Sequence, residues 1–280
     1  MTYSPRYDIT TYGTTTYDET QSAAGDPRAP QFPEPCMTAN SRETGTRPGP
    51  GPSPGPGPVT RAPATLGQAR DVLAAGGAVV LPNPAPLTHV VTATGATAVN
   101  RAKGRPADQP VALWAHDPET LRVLEPVWDL GPDGRALARR LLSEEHLTVL
   151  LPLRAGARRP HWTGPAAKDG WMLLFGARWQ PVRPLLEDHP VLYVSSANRT
   201  GRPPAATTDE ALTMFPAAVP VLAAPHPEDA REDARPSVPR RATTTVRLHP
   251  DGRPTLHRPG AQDAPYARPE EYLDRLRTGA

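Results

Sequence analysis

The chain has 280 residues, a formal net charge of +2 from 31 basic and 29 acidic side chains, and 39 prolines beside 22 glycines. So balanced a charge gives no general case for a nucleic-acid partner, the single cysteine (Cys36) excludes disulfides and thiolate zinc sites, and the longest apolar run, Val72–Leu81, is too short and glycine-broken to span a bilayer. No basic, apolar, small-residue leader opens the chain, so a cytoplasmic protein with no membrane partner is expected.

Residues 1–64 contain RPGPGPSPGPGP (Arg47–Pro58) and four of the seven tyrosines, without hydrophobic periodicity. Such a segment cannot bury enough apolar area to offset its ordering entropy, so a disordered Pro/Gly-rich arm is expected there. The folded domain is expected over 65–261, followed by a polar C-terminal tail, 262–280. Thr65 caps a helix whose face is Leu66, Ala69, Val72 and Leu73, stopped at Gly76 or Gly77. Ala78–Pro82 reads as a strand buried on both faces, Ala96–Ala102 as a helix and Val111–Ala115 as a second strand. Asp117 with Pro118 opens another helix, and Gly134–Glu145 is the best amphipathic helix in the chain. Strands follow at Leu147–Leu153, Trp171–Phe175, Val191–Ser195 and Pro220–Ala224, with a capped helix at Thr207–Phe215. Thr243–Gly260 reads as two strands around a Pro-Asp-Gly turn. Interleaved helices and apolar strands define an α/β class, and no recurring period suggests a repeat.

Three segments could carry chemistry. In NRAKGRPADQP (Asn100–Pro110), Lys103 and Arg105 stand where a helix ends, a point charge and a planar fork suited to an oligophosphate; a solvated basic turn is the plainer reading. Lys103 and Lys168 are the only lysines among the 31 basic residues, which singles out Lys103. Ser195, Ser196 and Asn198 follow an apolar strand, and ligands of open α/β sheets favour the crevice beyond strand ends; a hydrogen-bonded turn would serve equally. Thr243, Thr244 and Thr245 could be plain strand residues, and Arg258 a surface residue. The eight histidines show no metal-ligand spacing, so no protein metal site is expected. Trp114, Trp171 and Trp179 read as core. Neither a P-loop nor a G-x-S-x-G elbow is present.

Taken in order, AAGGAVVLP, AKGRPADQPVAL, LTVLLPL, HPVLYVSSANRTGRPPAATTDEAL, TTTVRL and LHRPGA resemble the YrdC/Sua5 (TsaC) family of threonylcarbamoyl-adenylate synthases, over Leu66–Ala261, in its single-domain form. The resemblance implies a YrdC-like twisted mixed sheet with helices and a concave basic cleft. It implies ATP and Mg²⁺ as cofactors, with bicarbonate and L-threonine or another small amino-acid-like substrate as partners. It also implies a role in tRNA t6A37 formation, or a repurposed version in specialised metabolism. The alternative is a non-catalytic nucleotide- or double-stranded-RNA-binding protein. Carried over by position, Lys103 and Arg105 match the phosphate-holding, catalytic K-x-R, and Ser196 and Asn198 the S-x-N. Thr148 matches a strand Thr, Thr243 and Thr244 the Ser-Thr pair, and Arg258 a nucleotide contact. The chain departs from the family after the first strand, where P-T-D-T-V-Y-G-L is replaced by LPNPAPLTHVV (Leu81–Val91). Trp114 stands where many members carry His. SEEHLT (Ser143–Thr148) replaces W-P-G-P-L-T, and the V-R-x-P arginine has only Arg178 nearby. These losses fall on the amino-acid side and leave the phosphate side.

Overall fold

The computed structural model describes residues 61–223 and 239–279. The arm expected over 1–64 lies, up to residue 60, outside them, as do Ala224 of the expected Pro220–Ala224 strand and Ala280. Residues 61–64 already belong to the domain: the Arg61 guanidinium donates to Phe215 O at 2.8 Å, and Ala64 N donates to Val221 O at 2.7 Å.

Nine strands form one sheet among the described residues: β1 (Val79–Leu81), β2 (Val90–Ala93), β3 (Ala112–Trp114), β4 (Thr148–Pro152), β5 (Ala167–Lys168), β6 (Trp171–Phe175), β7 (Tyr193–Ser196), β8 (Thr245–Leu248) and β9 (Pro254–Arg258). Their spatial order is β1-β2-β7-β3-β6-β4-β8-β9, with β5 attached to β6. Only β3/β6 and β4/β8 run parallel; the other pairs are antiparallel. Seven α-helices lie among the described residues: α1 (Leu66–Ala74), α2 (Ala96–Lys103), α3 (Pro118–Leu124), α4 (Pro132–Ser143), α5 (Arg183–Leu186), α6 (Thr208–Met214) and α7 (Pro269–Thr278).

Local chemistry sets the helix starts. Thr65 and Gln68 make a reciprocal capping box on α1, and the Asp117 carboxylate accepts from Thr120 N at 2.7 Å ahead of α3. The strands are short and apolar, and successive residues face opposite sides of the sheet. Val80, Val91, Leu113, Val149, Leu174 and Val246 face one side, where α2, α3, α4 and α7 contribute the rest of the core. Val79, Leu81, Val90, Trp114, Phe175 and Val194 face the other, against Ala69 and Leu73 of α1 and Leu185 and Leu186 of α5. β7 is therefore interior, with Ser196 beside Val90 on β2 and Val194 beside Ala112 on β3.

Several expectations change. Val90–Ala93, to which no element was assigned, is a strand buried at all four residues. Pro220–Ala223 forms only isolated bridges, Val221 to Val80 and Leu222 to Ala64. Trp114 is core at 1% exposure, but Trp171 and Trp179 are half-buried, with the Arg247 guanidinium 4.7 Å above Trp171. The polar tail expected after 261 instead completes the domain. Tyr272 and Leu276, one helical turn apart on α7, are 1% and 0% exposed. Arg275 of α7 pairs with Glu145 at 2.7 Å, just past α4. Leu276→Ala is therefore expected to lower unfolding stability by about 2–5 kcal/mol, read as an earlier midpoint in urea. A truly dispensable tail would leave that midpoint unchanged.

Candidate functional site

α2 stops because Gly104 takes the left-handed conformation, φ 65°, so the chain can turn at once. Arg105 N then donates to Asn100 O at 3.1 Å. This leaves the Lys103 side chain, 4% exposed, pointing at the end of β7. Its Nζ donates to Ser196 O and, at 2.7 Å, to Asn198 Oδ1. The Ser196 hydroxyl donates to the same Oδ1 at 2.7 Å. Asn198 Nδ2 donates to Arg202 O at 2.9 Å and Arg199 O at 3.1 Å, so the amide is satisfied at both ends. Burial, with Arg105 and Arg258 adding repulsion, pushes the Lys103 amine down to about 7.

Arg105 Nε donates to Asn100 Oδ1 at 2.5 Å, while Asn100 Nδ2 holds Ala107 O and Gln109 O, each at 2.8 Å. Arg105 Nη2 is buried and has no partner among the described residues. Burial lowers this guanidinium's pKa, but it keeps its charge. The Thr148 hydroxyl, opening β4, lies 2.5 Å from that of Thr243. Arg258 Nη2 donates to Thr243 O at 3.3 Å.

Arg105, Thr148, Ser196, Thr243 and Arg258 line one cavity of about 200 Å³. Its apolar wall is Val90, Ala112, Leu173, Phe175 and Val194, all from the second sheet face. Ser195 also borders it, as do two residues that the sequence did not single out, Asn83 and Thr88. They belong to the altered loop, which is fastened from outside. Asn83 Nδ2 donates to Thr88 O at 2.9 Å, and Arg240 Nη1 donates to Asn83 O and Leu87 O, each at 2.9 Å. An Asn between apolar and Pro residues was the only available signal.

Lys103 and Asn198 stand behind this wall and do not line the cavity. Thr244 separates from Thr243 altogether. Its hydroxyl donates to Asp263 Oδ1 at 2.6 Å and accepts from Gln262 N and Asp263 N, each at 3.1 Å. Gly260 fits beneath it only because it has no Cβ, which would stand 2.3 Å from Thr244 N. Arg178, the nearest substitute for the missing arginine, donates to Ala115 O at 3.1 Å and borders a different, larger cavity of about 590 Å³. His116, Asp117, His146, Trp179 and Glu187 also line that space. Burial pushes His116 down to about 4, so it is neutral near pH 7. Trp114 lies between the cavities, edge-on to His116 at 6.1 Å and to Phe175 at 5.3 Å.

No group of three or more His, Cys, Asp or Glu among the described residues could hold a metal ion. Nor does any described Asp or Glu line the smaller cavity, so the residues present do not form a protein site for Mg²⁺. No helix among the described residues is long and apolar enough to cross a membrane.

No family model matches the chain, and no curated protein matches it. Solved structures do. P. abyssi Sua5 complexed with L-threonine is 21% identical with a TM-score of 0.51, over 70% of this chain and 54% of that one. Full-length HypF in the phosphate- and nucleotide-bound form is 18% identical at TM-score 0.52, over 71% of this chain and 29% of that one. E. coli YciO is 15% identical at TM-score 0.50, over 70% of this chain and 88% of that one. The chain thus spans about half the length of Sua5 and less than a third of HypF. The domain is an α/β fold built on a mixed, mainly antiparallel sheet. Its architecture is that of the YrdC/Sua5-like proteins.

The buried amine makes stability depend on pH. The unfolded lysine binds its proton up to its ordinary value of 10.5, whereas the folded one releases it near 7. Between these values the unfolded chain holds more protons, so stability rises with pH by up to about 1.4 kcal/mol per unit. Below 7 both states are protonated and the cost is full. The stability difference between wild type and Lys103→Met, measured by denaturation from pH 6 to 10, should shift toward wild type across that window. A pH-independent difference would refute the shift.

Proposed function

We propose that the smaller cavity holds the reacting end of ATP, and that the protein is a YrdC-like nucleotidyltransferase forming an acyl- or carbamoyl-adenylate. The single observation behind this reading is the convergence of two guanidiniums, two hydroxyls (Thr148 opening β4 and Thr243 just ahead of β8) and the Ser196 corner on one recess of the sheet face. Arg105 brings a buried donor with no acceptor among the described residues, the type of group an anionic oxygen satisfies. HypF, of like fold, was solved in a phosphate- and nucleotide-bound form, and Sua5 with L-threonine, which agrees with a site for phosphates beside a small acceptor.

At about 200 Å³ the cavity is smaller than the 300–1,000 Å³ of sites that enclose a whole small ligand. ATP would therefore enter by its phosphates and keep its nucleoside outside. A carboxylate or carbamate oxygen attacks the α-phosphorus, the bond to the β-phosphoryl oxygen breaks, and pyrophosphate leaves with the electron pair. Arg105 and Arg258 neutralise charge on the phosphoryl oxygens, and the Thr148–Thr243 pair offers a hydrogen bond to them. Attack by an already ionised oxygen needs no general base, so positioning and charge account for the chain's part. Lys103 holds the Ser196–Asn198 corner in place and is a positioning residue.

ATP binding followed by calorimetry tests this reading. Arg105→Ala and Arg258→Ala should each weaken it by roughly 10- to 150-fold, since a hydrogen bond to a charged group contributes about 1.5–3 kcal/mol. Folded variants that bind ATP like the wild type would defeat the assignment. A second reading, binding without turnover, is favoured by the Arg240 clamp across the altered loop. It prevails if ATP binds but no substrate supports exchange of pyrophosphate into ATP.

A further inference from the structure

Building on the adenylation reading above, we infer that the acceptor is a short aliphatic carboxylic acid of about two or three carbons, without an α-ammonium group. The size follows from the cavity. At about 30 Å³ for each water-sized group, its roughly 200 Å³ admits roughly six or seven non-hydrogen groups, and the phosphoryl oxygens of ATP take a share of them.

The chemistry follows from the lining. Val90, Ala112, Leu173, Phe175 and Val194 form a continuous hydrocarbon wall, with Leu173 and Phe175 two residues apart on β6 and facing the same way. Such a wall favours an alkyl chain by contact area. Arg105 and Arg258, across the space, suit a carboxylate beside a phosphate. An amino acid would bring its ammonium to the same place. The described side chains that could accept from it there are hydroxyls and the Asn83 amide, with no carboxylate, and both guanidiniums repel it.

The reaction balances without further reagents. The carboxylate oxygen forms a bond to the α-phosphorus, and the bond from that phosphorus to the bridging oxygen breaks. Acyl-AMP and pyrophosphate result, with no oxidant, reductant or net proton.

The full chain is assayed for ATP–pyrophosphate exchange and for hydroxylamine trapping of the acyl-adenylate. The acids supplied are acetate, propionate, isobutyrate, isovalerate and octanoate, the amino acids alanine, valine, leucine and threonine, and threonine with bicarbonate. Exchange is expected with acetate and propionate, falling roughly tenfold or more per further methylene, and roughly 100-fold or more lower with alanine. Leu173→Ala, at a half-buried wall position, should move the preference toward longer acids. Calorimetric ATP binding, run in parallel, separates the two conclusions. If ATP binds and exchange needs an amino acid, or occurs with no acid, the acceptor assignment is wrong and the nucleotide site stands. If ATP does not bind, the adenylation reading fails and the acceptor assignment with it.

Discussion

The Lys103 ammonium, buried between an α-helix and a central strand, is the contact on which the rest of the recess depends. Removing it from water is costly, and Ser196 O and Asn198 Oδ1 compensate. The contact fixes three things together. It closes the end of α2, it sets the turn after β7, and it places Arg105, two residues further, facing the cavity. In a chain that otherwise uses arginine, the reason for a lysine is steric. A guanidinium is wider, presents a fork and resists losing its charge, whereas a compact ammonium fits between one carbonyl and one amide at 4% exposure.

The two faces of the sheet divide the work. One carries most of the core against α2, α3, α4 and α7. The other is covered by α1 and α5 over part of its area, and the strand positions left over form the recess. Because β7 is interior, its terminal serines cannot drift with a fraying edge. The loop before β2 is fixed differently, through Arg240 reaching two carbonyls, so its two ends are joined by a residue distant in sequence.

Elements with local signals were legible in the sequence. The capping box at Thr65, the Asp117 cap, the glycine after Lys103 and the apolar run Trp171–Phe175 each follow from chemistry within a few residues. β2 was not legible, because it is buried on both faces and so lacks alternation, and it follows two prolines. α7 was hidden by charge: only Tyr272 and Leu276 carry its burial among otherwise polar neighbours. The Thr243–Thr244 pair shows the limit of transfer by resemblance. Adjacent residues in extended chain face opposite ways, so one lines the recess and the other must turn to the protein, where Gln262 and Asp263 receive it. The order of strands, and with it the meeting of Arg105 with Arg258, comes from long-range pairing that no local pattern encodes.

Gly260 has a consequence for anyone reshaping this pocket. Its α-carbon is wedged against the backbone at Thr244 and Ala242, and its N–H is held by Asp263 at 2.6 Å. The stretch from Gly260 to Asp263 resembles a surface loop in sequence but is held as a core is. Libraries that randomise Gly260 would mostly collect misfolded clones. Diversity introduced at the half-buried Leu173 would instead reshape the recess from its floor.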